Sequence, residues 1–125
     1  MKIRVYYEDT DVGGVVYHSN YLNFCERARS ELFFSKGQSP ILENGHFVAS
    51  SLEAKFTKPA KFADELEVKT ELINLKNASF SLAQTVYRGE ELLFKMSINL
   101  VYLDNNFKVQ RFDSETKEML KSLLP

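Results

Sequence analysis

The stretch DTDVGGVVYHSNYLNFCERARSEL, Asp9 to Leu32, changes character halfway along. Its first half holds two aspartates, the pair Gly13-Gly14 and His18; its second half repeats apolar residues at Tyr21, Phe24, Cys25, Ala28 and Leu32. Spacings of three and four place these on one face of a helix. Glu26, Arg27, Arg29, Ser30 and Glu31 fill much of the remainder. Ser19 or Asn20 stands where a helix cap is expected. Gly37 marks the helix end, and Gln38 to Gly45, which contains Pro40, reads as a loop. Asp9 to Tyr17 is the loop ahead of the helix, turned at its glycines.

Away from this stretch the period changes to two. Lys2 to Tyr7 is a short strand candidate, with Ile3 and Val5 alternating against Lys2 and Arg4. Leu52, Ala54 and Phe56 alternate with Glu53, Lys55 and Thr57 until Pro59 breaks the strand. Leu66, Val68, Thr70 and Leu72 form the next apolar phase, then Phe80, Leu82 and Val86, then Leu92 to Tyr102. Lys76-Asn77 and Arg88-Gly89-Glu90 are the turns between them. Asp113 to Leu123 reads as a short helix capped by Asp113 or Ser114. Period-two alternation over successive strands means an antiparallel sheet with one apolar face. Only one long helix is available to cover that face, so the sheet wraps around it. The expectation is an α+β fold of about five strands in a single domain, 1–125, with an exposed edge strand suited to pairing with a second copy.

The composition fits a soluble globule: 125 residues, 44% hydrophobic, 26% charged, formal net charge -1. No basic footprint for nucleic acid is present. No apolar run approaches the roughly 20 residues of a membrane span. The N-terminus has no apolar signal core, so a cytoplasmic location is expected. A single cysteine and two histidines make a metal site improbable. Cys25 falls on the apolar helix face and reads as core. His46 reads as solvated, Arg27 and Arg29 as ion-pairing surface or interface residues, and Phe47, Phe56, Phe80 and Phe94 as core.

Asp9, Asp11, Gly13, Gly14 and His18 each have an ordinary role as turn or helix-start residues. Together they suit other work. A helix N-terminus offers unpaired N–H groups and partial positive charge, where a developing oxyanion is stabilised. A glycine pair lets a ligand approach the backbone. A carboxylate alongside serves as general base or nucleophile. The combination suits acyl transfer to water, without naming the acyl group.

The string YYEDTDVGGVVYHSNYLNFCERARSEL resembles the signature of the hotdog-fold 4-hydroxybenzoyl-CoA thioesterase family, in particular its YbgC-like acyl-CoA thioesterase branch, associated with the bacterial Tol-Pal cluster. KFTKPAKFADELEVKTEL resembles the family's strand, Pro-Ala turn and following Asp. Val12 and Cys25 depart from the usual residues, away from the acid, glycines and histidine. The resemblance implies a long helix wrapped by an antiparallel sheet, a homodimer or dimer-of-dimers tetramer with sites at the dimer interface, and an acyl-CoA substrate. Coenzyme A enters only as part of that substrate, with acyl carrier protein as the other possible carrier. Asp11 matches the catalytic carboxylate, and His18 the helix-start position whose N–H polarises the thioester carbonyl. Tyr7 and Gly14 fall at substrate-lining positions, while Asp9 is a structural turn residue. Lys55, Lys58 and Lys61 flank the Pro59 turn, either as ordinary solvent-facing lysines or, Lys55 and Lys58 foremost, as candidates for the phosphates of coenzyme A. A hotdog dehydratase is the weaker alternative, since His46-Phe47 is followed by Val48-Ala49 rather than Pro-Gly. A non-catalytic acyl or acyl-carrier-protein binding module is the other.

Overall fold

The computed structural model describes residues 1–125. The elements are β1 (Lys2–Arg4), a 3-10 turn (Tyr7–Asp9), α1 (Asn20–Phe34), β2 (Ile41–Leu42), β3 (Gly45–Phe56), β4 (Glu65–Leu75), β5 (Ser79–Arg88), β6 (Glu91–Leu103) and α2 (Ser114–Leu123). All strands join one six-stranded antiparallel sheet in the order β1-β4-β5-β6-β3-β2. The expected α+β architecture is present, a long helix held by a curled sheet. No helix is long and apolar enough to cross a membrane.

The core forms where α1 meets the sheet. Tyr21, Phe24, Cys25, Ala28 and Phe33 are the buried residues of the helix. Beneath them run cross-strand rows such as Val68–Val86–Phe94–Phe56 and Leu72–Leu82–Ile98–Leu52. The β5 and β6 members of these rows are buried, but the β3 members are not: Phe56 is 52% and Leu52 41% exposed. Phe56 has the pattern of a core residue but lies outside the core within one chain: Tyr21 of α1 meets its ring at 5.6 Å and leaves it 52% exposed. Phe47 is half-buried, and Phe80 and Phe94 are buried as expected.

Other differences have local causes. Strand β1 stops at Arg4 rather than Tyr7, because Asp9 Oδ2 accepts the Tyr6 N–H at 2.8 Å and turns the chain. The expected loop over Gln38–Gly45 contains β2, paired through Ile41↔His46 and Leu42↔Gly45, which raises the strand count to six. Two residues are too few to show alternation. Neither Ser19 nor Asn20 caps α1 through its side chain. Ser19 sits at the N-cap position with no side-chain bond, and Asn20 Nδ2 donates instead to Asp9 O at 3.1 Å. In contrast, Asp113 Oδ1 caps α2 by accepting the Thr116 N–H at 2.7 Å. Gly37, at φ +69°, ends α1 as expected; Gln38 N–H reaches back to Phe33 O at 2.9 Å.

Arg29 makes no ion pair. Its Nη1 donates to Oε1 of the buried Gln84 at 3.0 Å, and burial pulls the guanidinium pKa down. Gln84 Nε2 donates in turn to Cys25 O at 2.9 Å and Thr70 Oγ1 at 3.0 Å. This buried network ties the middle of α1 to β4 and β5. His46 is half-buried, its ring edge-on to Phe107 at 5.4 Å, rather than freely solvated.

Candidate active site

The glycine turn is built around Asp11. Its N–H donates to Val15 O at 2.9 Å, and its carbonyl accepts the Gly14 N–H at 3.0 Å. Its Oδ1 accepts the Gly13 N–H at 2.8 Å, an Asx turn that fixes the carboxylate. Gly14 takes φ +81°, the left-handed conformation such a turn requires. A Cβ on Gly13 would lie 3.2 Å from Asp11 Oδ1, so glycine leaves the acid undisturbed. The chain then docks on the segment after β3: Val16 N–H donates to Ala60 O at 2.8 Å, and Val15 bridges Lys61.

Past the turn the chain enters α1. The His18 ring lies against Tyr17 at 4.4 Å and edge-on to Phe56 at 6.4 Å. The backbone N–H groups of His18, Ser19 and Tyr21 donate to no protein group. With no side-chain cap, the helix start keeps these donors unpaired at its positive end. A cleft of about 340 Å³ opens here, with Asp11, His18, Tyr21, Phe56, Lys58 and Pro59 among its walls.

Asp11, His18 and Lys58 therefore meet on one cleft. Tyr7, Gly14 and Lys55 do not line it. Tyr7 is 79% exposed and stacks on Phe62 at 4.3 Å. Gly14 shapes the turn. Lys55 is exposed opposite Lys95 on β6, in a separate depression of the sheet. Lys58 Nζ donates to Glu91 Oε2 at 2.8 Å. Hydrogen bonds from Lys58, then Arg88, pull the Glu91 carboxyl to about 2, so this contact persists above the ordinary carboxylate range and fades as pH falls toward 2. Asp9 closes its own turn and accepts from Tyr17 N and Asn20 Nδ2 through its carbonyl.

Two wall residues escaped the sequence reading. Tyr21 lies in the core, as its place on the apolar face implies, and its hydroxyl also accepts the Ala60 N–H at 3.1 Å and helps hold the far wall. A tyrosine in an apolar helix face is the available signal, since a buried hydroxyl needs a partner. Phe56 closes the side beside His18. A larger cavity, about 380 Å³, lies toward the other end of α1 beside Arg29, Phe33 and Phe47, but contains neither Asp11 nor the helix start.

Cys25 is buried, and burial pushes its thiol up to about 12. The thiolate is the reactive form. Folded protein at pH 8 is therefore expected to resist iodoacetamide, with full modification only after unfolding. Alkylation of the native protein within minutes, followed by mass spectrometry, would contradict that placement.

Residues 13–95 match the thioesterase superfamily, a match that begins just after Asp11. The acyl-CoA thioesterase YbgC of Helicobacter pylori is 49% identical over 87 residues, 70% of this chain and 65% of that protein; the match thus spans just under two thirds of that relative. The acyl-CoA thioesterase YbgC of Haemophilus influenzae is 38% identical over 120 residues, 92% of this chain and 88% of the other. A solved structure from Thermus thermophilus superposes with a TM-score of 0.89 at 26% identity, covering 98% of this chain and 97% of that one. With its family matched over most of its length and its sheet curled about one long helix, this chain belongs to the thioesterase superfamily and has the hotdog fold.

Proposed function

We propose that this chain is an acyl-CoA thioesterase in which Asp11 attacks or activates water, and the start of α1 binds the carbonyl oxygen. The observation that carries this reading is the shared cleft: a carboxylate fixed by an Asx turn beside an uncapped helix N-terminus. The thioester oxygen docks against the free N–H groups near His18, where helix charge and aimed donors favour the oxyanion. Asp11 takes a proton from water as water adds to the carbonyl carbon, or adds itself to form a mixed anhydride that water opens. Either route releases the free acid and the thiol of coenzyme A. Lys58 is the cation nearest the cleft for the carrier's phosphates, and acyl carrier protein is the alternative carrier. Thiol release from a panel of short, long and aromatic acyl-CoA esters tests the reading directly.

The reading includes a dimer, supported by the edge of β3. Strand β2 pairs with β3 only at Gly45 and His46, so the edge from Phe47 to Phe56 has no partner strand. The inward side chains of the same strand, Leu52 and Phe56, are exposed. A second copy pairing there would continue the sheet and cover both, each worth about 1.5–3 kcal/mol when fully buried. Leu52→Glu is expected to shift the sedimenting species toward monomer at micromolar concentration. An unchanged sedimentation coefficient would move the interface elsewhere. Pairing of two dimers into a tetramer and a cytoplasmic location complete the reading.

A further inference from the structure

We propose that Arg88, which touches none of the reacting groups, is the positioning residue that holds the far wall of the cleft against the Asp11 turn. The residue stands at the end of β5, opposite Glu91 across the Gly89-Glu90 turn. Every nitrogen of its guanidinium is engaged. Nη1 donates to Asp64 Oδ2 at 2.7 Å and to Pro59 O at 3.2 Å. Nη2 and Nε both reach Glu91 Oε1, at 2.5 and 3.2 Å. Glu91 holds Lys58 through its other oxygen at 2.8 Å. Asp64 accepts the Lys61 N–H at 2.8 Å through the same oxygen that meets Arg88. One planar cation thus grips the segment from Lys58 to Asp64 at Pro59, Asp64 and, through Glu91, Lys58.

That segment is the wall facing α1, and its next contacts belong to the site. Ala60 donates its N–H to the Tyr21 hydroxyl at 3.1 Å and accepts the Val16 N–H at 2.8 Å. Val15, whose carbonyl accepts the Asp11 N–H at 2.9 Å, bridges Lys61. The path from Arg88 to the acid therefore runs through Pro59, Ala60 and Val16, each step a hydrogen bond or a peptide link. A hairpin needing only a charged pair across its turn would be served by Glu91 and any cation. The fork geometry of arginine is required only because Asp64 and the Pro59 carbonyl are held as well.

The kinetic arm of the test rests on the thioesterase reading; the exchange arm does not. Arg88→Gln is expected to lower kcat roughly 10-fold to 100-fold, the scale of a small misplacement of catalytic groups, with KM changed less than threefold. The amides of Val16 and Ala60, followed by NMR hydrogen exchange, are expected to exchange faster, while amides of β3 keep their rates. Arg88→Lys preserves the charge but not the fork and is expected to resemble the Gln variant. It also carries the test if Arg88→Gln fails to fold. Wild-type kcat in either variant, or faster exchange confined to residues 88–91, overturns the proposal. Absence of turnover in the wild type on every acyl-CoA would count against the thioesterase reading alone, and exchange at Val16 and Ala60 would still decide the role of Arg88.

Discussion

Asp11→Asn is expected to reduce thioester hydrolysis by roughly 1,000-fold, within the range assigned to a lost catalytic base, while the protein remains folded. Both halves follow from the turn. The asparagine side-chain oxygen can still accept the Gly13 N–H that Asp11 Oδ1 accepts at 2.8 Å, and asparagine suits such turns. The Val15–Asp11 and Gly14–Asp11 backbone bonds are unaffected by the change. What disappears is the negative charge, needed either to draw a proton from water or to attack the carbonyl carbon. The measurement is thiol release over the acyl-CoA panel, with circular dichroism on the same samples. Activity within threefold of wild type would remove Asp11 from the chemistry. Single turnover in heavy-oxygen water tests the anhydride route: label in the Asp11 carboxyl marks an anhydride opened at the Asp11 carbonyl, whereas direct hydrolysis, like an anhydride opened at the acyl carbon, labels the product acid alone.

The parts of this site legible in the sequence are those whose chemistry is local. The Asp11 turn is written in adjacent residues, because an Asx turn and a left-handed glycine act over three or four positions. The apolar face of α1 and the alternation of β4 to β6 are legible because their periods differ. Contacts made across the fold were not legible. Lys55 and Lys58 looked equivalent in the chain, but the end of β3 separates them: Lys58 reaches Glu91 beside the cleft, and Lys55 faces away from it. The uncapped start of α1 is not legible either: Ser19 makes no cap bond and Asn20 donates to Asp9 O, a contact set by how the preceding turn folds back. Phe56 carries the pattern of a core residue, but α1 covers it only in part, through Tyr21. Arg29 looked like a surface ion pair because its partner, Gln84, lies 55 residues away.

Gln84→Leu is expected to destabilise the protein by roughly 3 kcal/mol, although leucine fits the strand pattern better. Gln84 lies in the apolar phase of β5, between Leu82 and Val86, and is fully buried. Leucine has a similar volume, so little of the loss comes from a cavity. It comes from stranded partners. Cys25 O and Thr70 Oγ1 lose a donor, and Arg29 loses its acceptor. No carboxylate lies within salt-bridge distance of Arg29 to take over, since it forms none of the ion pairs in the structure. A half-buried cation without an acceptor is the costliest of these orphans. Arg29→Met removes it, so Arg29→Met combined with Gln84→Leu is expected to be more stable than Gln84→Leu alone by at least 1 kcal/mol. Urea unfolding of the two single variants and the double variant measures that coupling. Simple additivity would mean that the Arg29–Gln84 pair contributes nothing beyond its separate side chains. Recovery in the double variant would show why a glutamine occupies this strand position: it holds Arg29 and the middle of the helix whose first turn forms the cleft.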